Sequence, residues 1–456
     1  MKSLLLSLNR VALLCSVSFF IINSANASPW FEPDDVYLRS DLQVLADAGL
    51  INSPINTYPL KWARINADLE KVDVSQLPLS LRQSYAHVIY ALQGAFLDRN
   101  NQRFKAGYAS KARNDSSFSA PMTQKWRSLS SYEITAHDYA YRLAVNYQNQ
   151  PNKYGNNSSE FSLDNSFFAY SFGNASVSVG SIQRWWGPTW IYNLAWGHTR
   201  STIPGVDFAY DGYDWPLIGN WHIETFIGNA KTPNANHKQW SSRFEFSPIN
   251  WLDIGVSYQK WFSDHGFNGY LTGVSGSNDL QQDQYSGDIR LSLPTINFRQ
   301  MAVTQSLYAQ GSSLINEQSL GSMVLGWQSQ FNIGQQYFRW IVETKTLTSD
   351  GEAQWRAGMA NRTIMTGLHN QLAINNSDIG NSKAVKLIWV TPNDWQWALQ
   401  GQRYQTVSAQ DQDSATASIT IPLAKSNRLT LGSDYIAASS RDAAQWSYWA
   451  SWEFRF

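Results

Sequence analysis

The chain has 456 residues, with 35 Lys and Arg balanced by 35 Asp and Glu. Charged residues make up only 15% of it, against roughly 25% in an ordinary soluble protein, and no basic stripe points to nucleic acid as a partner. The 21 Trp, 22 Tyr and 21 Phe fit instead a protein whose rings form belts at two membrane interfaces. A mean hydropathy of -0.37 is compatible with this, because a barrel shows apolar residues to lipid on only one of its faces.

Residues 1–27 read as a signal peptide, with Lys2 and Arg10 in a basic start, an apolar run from Val11 to Ile22, and Ala25-Asn26-Ala27 as the cleavage site. The run is shorter than the roughly 20 residues of a membrane-spanning helix. Its Cys15 is the only cysteine, so the mature chain, starting near Ser28, has no disulfide, catalytic thiol or thiolate metal site.

Residues 28–100 carry a helical period. Asp34 or Asp35 can cap a helix with Leu38, Leu42 and Leu45 on one face, stopped at Gly49. Pro59 is placed to open a short second helix with Trp62, Ile65 and Leu69 inward. A third begins near Leu79 and Ser80 and aligns Leu81, Tyr85, Val88, Leu92 and Phe96. Such helices are too short or too polar to cross a bilayer and are expected to form a small bundle in water.

From about Phe104 the period changes to two. Tyr139, Tyr141, Leu143, Val145 and Tyr147 alternate with small or polar residues, as do Leu252, Ile254, Val256 and Tyr258, then Ile289, Leu291 and Leu293. Turn-rich stretches separate the strands at Asn393-Asp394, at Lys425-Ser426-Asn427 and over Gly273 to Gly287. The last strand puts Trp446, Tyr448, Ala450, Trp452, Phe454 and Phe456 on one face. A sheet this long in lipid must close on itself. Residues 101–456 therefore predict a transmembrane β-barrel of roughly 16 to 18 antiparallel strands, with 18 preferred.

Catalytic signatures are missing: there is no Gly-x-Ser-x-Gly elbow, Walker loop, His-Glu-x-x-His or Gly-x-Gly-x-x-Gly. The histidines, His137 included, lack paired metal spacing. Asp207, Asp211 and Asp214 lie close together, which is turn or ion chemistry more often than a hydrolytic carboxylate pair. No enzyme, cofactor or metal is expected. The densest segment is Arg184-Trp185-Trp186-Gly187-Pro188-Thr189-Trp190, followed by Trp196, His198 and Arg200. Indole faces stack on sugar rings and Arg grips hydroxyls or carboxylates, a chemistry suited to an acidic polysaccharide. Packing of an inward-folded loop is the reading that physics alone ranks ahead.

At this segment the chain resembles the Wzi family of outer-membrane capsule-assembly proteins. The likeness rests on Arg184 to Pro188 and on Leu38-Arg39-Ser40-Asp41-Leu42-Gln43-Val44-Leu45-Ala46-Asp47-Ala48-Gly49 with Pro54 and Tyr58-Pro59-Leu60-Lys61-Trp62. It implies an 18-stranded barrel with a helical bundle on the periplasmic side and a lectin-like role in holding exported capsular polysaccharide. The pattern departs after Pro188, where Thr189 replaces a usual Gly and Trp196-Gly197-His198-Thr199 precedes Arg200. The ligand implied is thus a capsular or an extracellular polysaccharide, and the other partners are outer-membrane lipid and the barrel insertion machinery. The alternative is a porin for small solutes, through the same barrel in the outer membrane of a Gram-negative cell.

Overall fold

The computed structural model describes residues 30–96, 102–111, 117–119, 125–136, 138–151, 157–197, 202–231, 236–263, 281–298, 301–314, 317–350, 381–405, 411–424, 426–438 and 443–455. The signal segment, His137 and the terminal Phe456 lie outside them.

Among the described residues three α-helices precede the sheet: α1 (Val36–Asp47), α2 (Trp62–Leu69) and α3 (Leu79–Phe96). Asp35 caps α1, its carboxylate accepting from the Tyr37 and Leu38 N–H groups at 3.0 Å, and Gly49 follows at φ +72°, where a side chain would be strained. The second helix begins at Trp62 and not at Pro59. Thr57–Tyr58 and Leu60–Lys61 are spent on two-residue pairings, with Trp185–Trp186 and Trp30–Phe31 respectively, which hold the backbone extended on both sides of the proline.

The barrel strands are β1 (Gln102–Ala109), β2 (Trp126–Thr135), β3 (Tyr139–Pro151), β4 (Asn157–Ser162 with Phe167–Phe172), β5 (Ala175–Ser181), β6 (Pro204–Trp215), β7 (Gly219–Lys231), β8 (Asn236–Ile249), β9 (Leu252–Ser263), β10 (Gln281–Phe298), β11 (Met301–Ser313), β12 (Leu320–Ile333), β13 (Gln336–Leu347), β14 (Ser382–Val390), β15 (Gln396–Gln405), β16 (Asp411–Ala424), β17 (Asn427–Ile436) and β18 (Gln445–Arg455). All neighbours are antiparallel, and β18 closes on β1 from Trp449↔Ala109 to Arg455↔Arg103. Eighteen strands result because the two pieces of β4 pair with successive parts of β3 and so share one position. At the break the Ser166 hydroxyl bonds both the N–H and the carbonyl of Ala144, at 2.9 and 3.0 Å, standing in for the missing ladder. The expected turn over Gly273 to Gly287 is corrected in part: Gln281–Gly287 is already strand. Polar residues there face the lumen, where Gln284 is buried, so polarity does not mark a loop inside a barrel.

The outer face is apolar, with Val145, Val206, Ile227, Val256, Leu325 and Val385 exposed. Phe331, Phe338, Trp389 and Trp397 sit directly opposite one another on β12 to β15 with centroids 5.6, 5.9 and 5.8 Å apart. They form one arc of an aromatic girdle. Turns at one end are short (173–174, 250–251, 334–335), whereas the other end carries the long connections 182–203 and 348–381.

Candidate functional site

The lumen is filled from both ends. From the short-turn end, the segment bearing α1 and α2 enters and is held by wall residues that point inward. Asp47 binds Arg290, Ser292 and Ser306. Ser40 is held by Arg339, whose Nε donates to its hydroxyl at 2.7 Å. Lys61 and Arg64 both meet Asp211 at 2.9 Å. The helices are thus amphipathic in the expected way, but their packing partner on this side is the barrel wall. Removing a single member of such a pair leaves a buried charge, so each pair fixes the plug's position more than it adds stability.

From the long-loop end, the chain between β5 and β6 folds inward, and Trp185 and Trp186 pair with Tyr58 and Thr57. Gly187 donates to the Asn56 carbonyl at 2.7 Å. The two motifs that carry the family likeness, far apart in sequence, therefore touch. Arg39 of α1 marks the junction. Its guanidinium lies 4.2 Å from the Phe118 and Trp190 ring centroids and 5.5 and 5.8 Å from those of Tyr58 and Trp185, and Nη2 donates to the Pro188 carbonyl at 3.0 Å. Burial draws the Arg39 pKa down, against the pull of Tyr58, Tyr308 and Glu343 in the other direction. A cation held by rings and one carbonyl, with no carboxylate directly on it, depends on the quadrupoles of those rings.

A second anchor lies on β13. The Glu343 carboxylate accepts from the backbone N–H groups of Trp190, Ile191 and Tyr192 and from the Tyr308 hydroxyl. Consecutive amides turned onto one carboxylate form an anion nest inside the loop. Gln310 completes the support, donating to Trp186 O at 3.0 Å and accepting from Leu194 N at 2.9 Å.

Of the residues singled out in the sequence, Trp185, Trp186 and Trp190 are 0% exposed and Trp196 is 2%. Trp186 packs edge-on against Trp196, which packs on Phe226. Arg184 is equally buried, between Asp207 at 2.6 Å and Glu224 at 2.7 Å. All five side chains are thus buried within the inward-folded loop and its contacts. His198 and Arg200 fall outside the described residues. Asp207 and Asp211 face inward and are engaged by cations, whereas Asp214 sits in the bulge near the end of β6 at φ +52°. Arg39 and Glu343 are the residues that sequence reasoning missed. The lone Arg among apolar positions on α1 was the only hint of the first, and nothing local marks the second.

The family model "Capsule assembly protein Wzi" matches residues 99–347. The chain belongs to the Wzi family. A curated relative, a 55.8 kDa protein of the cps region of Klebsiella pneumoniae, is 22% identical over 275 residues, 56% of this chain and 52% of the relative. The chain thus spans about half the length of the curated relative it matches. Among solved structures, the fold is similar to that of Wzi of Escherichia coli, described as an outer membrane protein involved in group 1 capsule assembly and a carbohydrate-binding β-barrel. That likeness has a TM-score of 0.77 at 17% identity and covers 94% of this chain and 100% of the other. OpdK of Pseudomonas aeruginosa also matches, at a TM-score of 0.46 and 7% identity, covering 78% and 97%.

Proposed function

We propose that this protein is a non-enzymatic, lectin-like anchor that attaches exported capsular or extracellular polysaccharide to the outer surface of a Gram-negative outer membrane. The observation that carries the reading is the double filling of the lumen. A barrel of this width, stoppered from both ends by Arg39, Trp185, Trp190 and their partners, leaves its long-loop rim as the working surface. Family membership and the carbohydrate binding described for the Escherichia coli relative support it. Sugar units would make many weak contacts along the polymer, made strong by multivalency.

In this reading the long connections face outward and the short turns, with α3, face the periplasm, as is general for such barrels. Arg184 and the four tryptophans then serve as the loop's internal frame. The test is deletion of the gene, with cell-bound and released polymer measured separately. Synthesis should persist while polymer moves from the bound to the free fraction, and unchanged retention rejects the reading. A wide, permanently open porin is disfavoured by the same filling.

A further inference from the structure

The filling is uneven around the barrel. On β5 to β13 the small inward-facing residues are sealed against plug and loop, as at Ser178, Ser241, Thr304 and Ser306. The corresponding residues of β16, Ser414, Thr416, Ser418 and Thr420, are half-buried, although they have the same position in the pleat and the same backbone behind them. Their register partners on β15, Gln400 and Gln396, are half-buried too, as are Asp434 and Thr430 on β17. The difference is exposure to the lumen. Four successive rungs of this kind, from Ser414 to Thr420, run for about 20 Å along the strand at roughly 3.3 Å per residue.

Toward the long-loop rim the groove opens at Ile436, which faces inward and is 37% exposed. At the other end it stops at Tyr37 of α1. The Tyr37 hydroxyl donates to the Gln396 carbonyl at 3.1 Å. Beyond Tyr37, on the short-turn side, lies a cleft lined by Asp41, His87, Tyr337 and Gln396. Tyr37 thus stands between the groove and that cleft, beside the contact of Asp35 with Arg428 of β17 at 3.8 Å.

We propose that the barrel holds a narrow permeation path for small uncharged polar solutes along the inner wall of β15 to β17, gated by Tyr37. Hydroxyl and amide linings exchange hydrogen bonds with water and polyols without trapping them, and the single carboxylate on these rungs, Asp434, gives any ion current a preference for cations. This function is independent of polymer attachment.

The test is current through purified full-length protein in a planar bilayer in potassium chloride, folding being checked by heat-modifiable gel mobility. Wild type should be closed, and Tyr37→Ala should show steady, cation-preferring current. Adding Thr416→Trp to Tyr37→Ala should remove that current, because the indole fills the groove midway. A silent Tyr37→Ala, a wild type equally open, or a current untouched by Thr416→Trp overturns the proposal. Arabinose-driven swelling of liposomes carrying Tyr37→Ala should follow the same pattern.

Discussion

Arg39 and Trp190 face one another across the junction of plug and loop, the guanidinium carbon 4.2 Å from the ring centroid. The contact ties a helix of the first motif to a loop that begins 145 residues or so later, and it makes the two stoppers one mechanical unit.

Replacing Arg39 with Ala leaves four rings around a void and the Pro188 carbonyl without its donor. Docking of the N-terminal segment should weaken by about 3 kcal/mol. Arg39→Met fills most of the volume and should cost less. Limited proteolysis of the folded barrel reads this directly, with the plug cut in Arg39→Ala before the barrel unfolds.

Glu343→Gln changes charge while keeping shape. An amide must turn one N–H2 group toward donors that now meet a carboxylate oxygen, which should loosen the loop by about 2–3 kcal/mol. Tryptophan emission should shift to the red at lower denaturant than in wild type, since Trp185 and Trp190 report on that packing.

Gly187 has φ +127°, and a Cβ there would lie 2.3 Å from Gln310 Nε2. Gly187→Ala therefore meets both backbone strain and a side chain held by two hydrogen bonds, and should destabilise the inserted loop by about 1–3 kcal/mol. Gln310→Ala added to it should relieve the clash but not the strain, so the double variant is expected to remain less stable than wild type in the same unfolding assay.

The tryptophans offer a way to separate frame from contact. Trp186 Nε1 has no hydrogen-bond partner, so Trp186→Phe loses no polar interaction and keeps an edge for Trp196. Cell-bound polymer should be near wild type in Trp186→Phe and reduced in Trp186→Ala. Equal loss in both would mean that the indole itself meets the sugar.

His87 on α3 bonds Asp41 of α1 at 3.2 Å and approaches Asp394 at 4.0 Å. The hydrogen bond to Asp41 raises its pKa above 6.5, against the opposing effect of burial. A histidine raised in the folded state adds stability that is fully present below its ordinary pKa and is lost as pH rises through the raised value. Protease cleavage of α3 should accordingly increase on the alkaline side of that window, and His87→Asn should flatten the dependence.

Much of the architecture was legible in sequence because membrane and pleat impose a period. The alternation Tyr139 to Tyr147 and the final strand gave membrane class, and Leu38, Leu42 and Leu45 with Asp35 and Gly49 delimited α1 almost to the residue. The start of α2 was not legible, since Thr57 to Lys61 pair with partners far along the chain. The tryptophan-rich segment showed its composition but not its use. Whether Trp185 stacks on sugar or on Phe118 depends on where Phe118, Tyr58 and Arg39 come to lie, and no spacing within residues 184–190 encodes that.

The contacts that seat the plug join residues very distant in the chain: the Asp47–Arg290 ion pair spans 243 positions and the Ser40–Arg339 hydrogen bond 299. The segment synthesised first can therefore find its berth only after the middle of the barrel exists. Until then its cationic and anionic side chains have no mates, and the N-terminal helices must wait beside an unfinished sheet or be kept apart from it. Assembly in this protein is a matter of timing as much as of pairing: the stopper is made before the bottle and inserted late.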